Sequence, residues 1–122
     1  MNRADPVTQM NLEELEARAL RAAGLLKAMA NPVRLRVLCQ LAEGEKSVGE
    51  LEQVAGVSQS ALSQHLALLR QRGLVKPRRA GQAVFYALAG AEAPALLAAL
   101  YEVYCSKTGL VGGLRRRRRQ AA

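Results

Sequence analysis

Two cysteines and one histidine are the side chains of this sequence best suited to covalent or metal chemistry. They are Cys39, Cys105 and His65. A pair of thiols can be oxidised reversibly, because a sulfenate or persulfide on one sulfur is resolved by attack of the second thiolate. The alternative is that both cysteines are small buried hydrophobic residues. No Cys-x-x-Cys is present and neither cysteine has a histidine close in sequence, so we expect no thiol oxidoreductase or peroxidase and no enzyme.

A second group of polar residues has the types and spacing needed to bind double-stranded DNA. Glutamine can bond adenine in a bidentate way, and serine and arginine can contact phosphates or base edges. Arginines near the tip of a predicted hairpin can reach phosphates or the minor groove. The alternative is an ordinary solvated helix face. The candidate DNA-contacting residues are Ser58, Gln59, Ser60, Ser63, Gln64, His65, Arg70, Arg78, Arg79 and Gln82.

The distribution of charge favours the DNA-binding interpretation. The chain has 18 Lys and Arg against 10 Asp and Glu, a net charge of +8. Residues 54–90 contain basic residues and no acid, and a second basic block runs from Arg115 to Arg119. We expect this second block to be disordered and to add salt-sensitive, non-specific affinity. Aromatic residues make up only 3%, which argues against a sheet that stacks single-stranded bases.

Hydrophobic spacing and capping residues predict the elements that position these side chains. The predicted helices run from Asn11 to about Ala30, from Asn31-Pro32 to Gly44, from Ser47 to about Val54, from Ser58 to Gly73 and from Ala91 to about Lys107. Residues 74–79 and 83–88 are predicted to form two strands. Pro77 restricts the first of these strands to a sheet edge, because proline has no N–H to donate.

These elements predict a mainly α fold with a small β-hairpin, a winged helix-turn-helix in the order α-α-α-α-β-β-α. The domain spans residues 11–107, after a flexible N-terminal arm at 1–10 and before a disordered Arg-rich tail at 108–122. The first and last helices are apolar and flank the domain, so we expect them to form a homodimer interface. We also expect a cytoplasmic protein without a membrane span, because no apolar run approaches roughly 18 residues and no signal peptide is evident.

Three segments resemble the ArsR/SmtB family of bacterial repressors. They are Ala30-Asn31-Pro32-Val33-Arg34-Leu35, the run from Ser58 to Leu66, and Arg72-Gly73-Leu74-Val75 followed by Phe85-Tyr86-Ala87-Leu88. The resemblance covers about residues 11–107. It implies a dimeric winged-helix repressor that a chemical signal releases from operator DNA bearing an inverted repeat. It also implies that helix four is the recognition helix and that the first and last helices build the dimer.

The metal sites familiar in that family cannot be assembled here. Ser47, Val48 and Gly49 stand where some members have a Cys-Val-Cys pattern, and the last helix has no histidine. Zinc sites generally need about four ligands, usually including thiolate or imidazole. We therefore expect no metal and no other cofactor, and we expect His65 to face solvent or DNA.

The contexts of the two cysteines resemble the sulfide- and persulfide-sensing branch of the family, typified by SqrR and BigR. They are Leu-Arg-Val-Leu-Cys39-Gln-Leu and Ala-Leu-Tyr-Glu-Val-Tyr-Cys105. The resemblance implies that reactive sulfur species link Cys39 to Cys105 through a disulfide or a longer polysulfide bridge, and that DNA affinity then falls. One alternative is a metal- or metalloid-responsive repressor using the same pair, for instance with Cu(I). Another is a constitutive chromosome-coating protein dominated by its arginine tail.

Overall fold

The computed structural model describes residues 11–105. The N-terminal arm at 1–10, the Arg-rich tail and the predicted end of the last helix at Lys107 lie outside these residues. The helices are α1 (Leu12–Met29), α2 (Pro32–Ala42), α3 (Val48–Ala55), α4 (Gln59–Gln71) and α5 (Glu92–Tyr104), and the strands are β1 (Lys46–Ser47), β2 (Val75–Ala80) and β3 (Ala83–Leu88). No helix in this part of the chain is long and apolar enough to cross a membrane.

The helix starts are set by the side chains that the sequence places there. The Asn11 side chain accepts a hydrogen bond from the Glu14 N–H, and Asn31 accepts from the two N–H groups that follow Pro32. Ser47 and Glu50 form a complete capping box at the start of α3, with bonds of 3.1 and 2.7 Å. These bonds satisfy backbone donors that have no partner inside the helix, which confirms the predicted starts.

The sheet contains one strand more than predicted. Its order is β1-β3-β2, and both pairs are antiparallel. The predicted order α-α-α-α-β-β-α omitted β1, because two residues are too few to show an alternating pattern. The hairpin of β2 and β3 matches the prediction, and Pro77 does lie on an edge strand. The added pairing of β1 with β3 joins the hairpin to the residues that precede α3.

The core lies between the helix-turn-helix, α2 and the base of the hairpin. Its largest fully buried side chains are Leu38, Leu51, Leu62, Leu69 and Val37. The large apolar side chains left exposed lie on α1 and α5, and they are Leu12, Leu15, Leu20, Leu26, Leu100, Tyr101, Val103 and Tyr104. Apolar residues at helical spacing predict an apolar stripe on the first helix, and this α1 stripe stays uncovered in the single chain. It consists of Leu12, Leu15, Ala19, Ala22, Ala23 and Leu26.

Candidate nucleic-acid interface and dithiol groove

The helix-turn-helix presents a polar helix face to solvent. Gly56 turns the chain between α3 and α4 with a φ of 71°, a left-handed conformation that glycine adopts without strain. Ser58 then caps α4 by accepting from the Ala61 N–H at 3.2 Å. Because Leu62 and the other leucines of α4 face the core, its polar positions face outward. The exposed candidates on this face are Gln59, Ser60, Ser63, Gln64 and Arg70.

His65 is set apart from these exposed side chains. It is half-buried, and its Nδ1 lies 3.2 Å from Nη1 of Arg34 on α2. Arg34 also donates from Nε to the Ala28 carbonyl near the end of α1. Burial, and secondly the positive charge of Arg34, lower the pKa of His65. The neutral imidazole therefore accepts from Arg34 at Nδ1, which leaves Nε2 as its donor.

The hairpin carries the remaining DNA candidates. Arg79 and Gln82 are exposed on either side of Gly81, the turn glycine with a φ of 62°. Arg78 is also exposed, but it is paired within the chain. Its Nε and Nη2 donate to the two carboxylate oxygens of Glu45, each at 2.8 Å. The Arg78 guanidinium also lies 4.8 Å from the centre of the Phe85 ring.

Sequence reasoning missed Arg34 and Glu45. Arg34 was visible only as part of a family-like segment, and Glu45 lies outside the acid-free segment that drew attention to the hairpin. The two pairs join residues 31 and 33 positions apart in the chain. The sequence offered one indication of Glu45. Because the basic hairpin lies in a segment without acids, any carboxylate that pairs with it must come from another part of the chain.

Cys39 and Cys105 line one groove between α2 and α5. The groove has a volume of about 760 Å³, and both cysteines are free thiols. The other residues that line it are mostly apolar, and they are Leu35, Ala42, Glu43, Leu88, Pro94, Leu97, Ala98, Leu100, Tyr101 and Tyr104. Burial, and secondly the nearby Cys105, raise the pKa of Cys39 above its ordinary value of 9.0. The structure thus brings together two thiols that the sequence separates widely.

The described residues offer few ligands for a metal ion. Between residues 11 and 105, no group of three or more His, Cys, Asp and Glu side chains is arranged to hold one. The two thiols alone provide the low coordination number that Cu(I) accepts, but fewer ligands than a structural zinc site uses.

A helix-turn-helix with an exposed polar second helix and a basic hairpin defines a winged-helix DNA-binding regulator. The sequence also matches the family model described as "Bacterial regulatory protein, arsR family" over residues 31–76. It is 52% identical over 96 residues to the transcriptional activator HlyU of Vibrio cholerae, covering 79% of this chain and 89% of HlyU. It is 47% identical over 105 residues to the biofilm growth-associated repressor of Xylella fastidiosa, covering 86% and 92% of the two chains. The chain belongs to the arsR family, and these relatives are transcriptional regulators.

Solved structures of regulators share the fold. Reduced HlyU from Vibrio cholerae superposes with a TM-score of 0.74 at 50% identity, covering 78% of this chain and all of HlyU. A homodimeric winged helix-turn-helix domain of a possible ArsR-family regulator from Mycobacterium bovis superposes with a TM-score of 0.64 at 32% identity, covering 75% and 84%. The predicted fold class is thereby confirmed.

Proposed function

We propose that this arsR-family protein is a homodimeric cytoplasmic repressor whose affinity for operator DNA falls when reactive sulfur species oxidise the dithiol of Cys39 and Cys105. The single observation that carries the proposal is the groove between α2 and α5, which both thiols line. The relative HlyU has a structure in a reduced state, which supports redox chemistry in this part of the family. The Xylella relative is a repressor by name, which supports repression.

The chemistry of the switch balances with a persulfide as the oxidant. One cysteine thiolate attacks the outer sulfur of a persulfide, RS–SH, and releases the thiolate RS⁻. The protein then carries Cys–S–SH. The second cysteine thiolate attacks the inner sulfur of this group, forms the protein disulfide and releases HS⁻. Retention of additional sulfur atoms would give a polysulfide bridge, which spans a wider gap than a disulfide.

A bridge from α2 to α5 would reach the DNA-binding face through α2. This helix also carries Arg34, which contacts the end of α1 and His65 of the recognition helix. Two recognition helices of a dimer must lie roughly 34 Å apart to enter successive major grooves. A covalent bond that moves α2 relative to α5 would change this spacing, and a crosslink can supply the several kcal/mol that such a shift needs.

The DNA contacts of the proposal are assigned to the exposed residues of α4 and of the hairpin. The polar side chains Gln59, Ser60, Ser63 and Gln64 would contact base edges, and Ser58 would hold the first turn of the helix. Arg70, Arg79 and Gln82 would contact phosphates or the minor groove. His65 would contribute through its Nε2–H.

The test compares the reduced and the persulfide-treated protein on one duplex selected from a random library for tight binding. We expect wild type to lose affinity after treatment, and Cys39→Ser, Cys105→Ser and the double variant to bind DNA normally but to keep their affinity. Mass spectrometry should show a bridge between Cys39 and Cys105, by loss of two hydrogens or by sulfur retained between the two cysteines, only in wild type. A single variant can carry added sulfur only as a persulfide on its remaining cysteine. If the double variant also releases DNA, the dithiol is not the switch. Bound copper or arsenic in native mass spectra, with release by that metal, would instead favour a metal-responsive repressor.

A further inference from the structure

The pairing of Arg78 with Glu45 removes a basic side chain from the surface that faces DNA. Arg78 belongs to β2 of the hairpin, beside Arg79, for which no ion pair is formed within the described residues. Both carboxylate oxygens of Glu45 accept from Arg78. This is the bidentate geometry that an arginine otherwise offers to a phosphate.

The local fold places Glu45 where it can reach the hairpin. Gly44 has a φ of 141°, which turns the chain after α2, and Glu45 directly precedes β1. In the sheet, Ser47 of β1 and Arg78 of β2 both pair with Phe85 of β3. The Arg78 side chain therefore crosses the Phe85 ring toward Glu45, and the ring contact adds a cation–π interaction.

Glu45 is the carboxylate that neutralises a charge in an otherwise acid-free region. Residues 54–90 contain no Asp or Glu, so an acid that pairs with the hairpin has to come from another part of the chain. The pairing also lowers the pKa of Glu45, which keeps it ionised near neutral pH. The side chains of Arg78 and Glu45 are 55% and 36% exposed. An ion pair this open to solvent is weak, so a phosphate held against Arg78 by the other contacts of a specific complex can displace the carboxylate.

We propose that Glu45 is a specificity-determining residue. Its carboxylate takes the place of a DNA phosphate in binding Arg78, and this limits sequence-independent DNA binding. Without it, the hairpin would present one more free arginine to any duplex. The proposal rests on the DNA-binding part of the proposed function and is independent of the dithiol switch.

The test measures the salt dependence of binding to a mixed-sequence duplex with fully reduced protein. Each additional phosphate contact steepens the slope of log affinity against log salt by about 0.9, which corresponds to about five- to tenfold tighter binding near 0.1 M salt. We expect Glu45→Gln to show this change and to reduce the preference for the selected duplex over the mixed one. In an Arg78→Gln background, Glu45→Gln should leave the slope unchanged.

Glu43→Gln is the matched control. It removes the same charge two residues away, from a carboxylate that pairs with Lys46 rather than with the hairpin, and it should not change the slope. Equal effects of Glu43→Gln and Glu45→Gln, or an undiminished effect of Glu45→Gln in the Arg78→Gln background, would overturn the proposal. So would an unchanged slope in Glu45→Gln with a lowered Tm, because the pair would then only stabilise the hairpin. A wild type that binds both duplexes equally would count against the proposed function instead.

Discussion

The Cys39 thiol has a raised pKa although the residue is partly open to solvent. Cys39 lies in an apolar groove, and burial raises its pKa, with a further contribution from Cys105. Because the thiolate is the nucleophile, Cys39 is mostly protonated and slow at neutral pH. A fast reaction of Cys39 therefore needs a reagent that reacts rapidly with the small fraction of thiolate. Alternatively, the Cys39 thiolate attacks a Cys105 that has already been modified.

The first prediction concerns the pH dependence of Cys39 alkylation. In wild type the rate should rise about tenfold per pH unit up to a midpoint above 9.0, because only the thiolate reacts. In Cys105→Ser the midpoint should fall, since the neighbouring thiolate charge is gone, but it should stay raised because burial is the larger cause. Mass spectrometry of iodoacetamide-treated protein gives the rates. An unchanged midpoint in Cys105→Ser would mean that the two sulfurs do not interact.

At the scale of elements, α2 connects the parts of the domain that a switch must couple. Its Arg34 contacts the end of α1 and His65 of α4, and its Arg36 donates to the Ala55 carbonyl at the end of α3, at 2.8 Å. Its Cys39 faces α5. Arginines near helix carboxyl ends interact favourably with the free carbonyls there. A displacement of α2 would therefore disturb both helices of the helix-turn-helix.

The second prediction tests the contact between Arg34 and His65. Because His65 is the only histidine, its ring protons report one titration by NMR. Arg34→Gln should raise the His65 pKa toward 6.5, since the positive charge that lowers it is removed, although the effect of burial remains. Arg36→Gln removes the same charge from the same helix and should leave the titration unchanged. Equal midpoints in wild type and Arg34→Gln would contradict the contact.

The same pair predicts the direction of an acid effect on stability. The folded-state pKa of His65 lies below its unfolded value, so the unfolded chain binds more protons. The contribution of neutral His65 to the free energy of unfolding is therefore present above about pH 6.5. It is lost as the pH falls through the pKa of His65 in the folded protein. Urea unfolding between pH 5 and 8 measures the free energy of unfolding. This free energy should decrease less on acidification in Arg34→Gln than in Arg36→Gln.

The whole molecule leaves two apolar faces uncovered in the single chain. On α1, Leu12 and Leu26 are 70% and 55% exposed. The exposed large apolar and aromatic residues of α5 are Leu100, Tyr101, Val103 and Tyr104. The leucines and alanines of the α1 stripe are exposed, whereas Ala28 and Met29 near the end of the helix are buried. A second copy of the chain is the occupant that fits the proposed function, because an inverted repeat has two half-sites.

The third prediction tests this interface by placing a charge on the α1 stripe. Leu15→Glu should raise the dimer dissociation constant about tenfold or more. Leu15 is 37% exposed in the single chain, so each subunit loses about 0.5–1 kcal/mol of apolar burial. Leu20→Glu changes a leucine that lies off the stripe and should leave the dimer intact. Analytical ultracentrifugation measures the dissociation constant, and circular dichroism checks the helix content. Equal dissociation constants for the two variants would place the interface elsewhere.

Local patterns were sufficient for most of the fold. The starts of α1 to α4, the position of Pro77 on an edge strand and the polar face of α4 all follow from residues within one or two helical turns of each other. Helix periodicity and capping depend on neighbours in the sequence, so they can be read without knowing the packing. The same holds for the separation of basic from acidic segments, which indicated a DNA-binding surface.

Tertiary packing decided which of these side chains have partners. The spacing of residues along the chain could not show that Arg78 pairs with Glu45 or that Arg34 contacts His65. Nor could it show that Cys39 and Cys105 line the same groove. It also could not show β1, whose two residues form a strand only because β3 lies beside them. Each contact joins residues far apart in the chain, and its geometry depends on how the helices and the sheet pack. The spacing of residues along the sequence therefore determines on which face of a helix or strand a side chain lies. The packing of these elements determines which residues that face contacts.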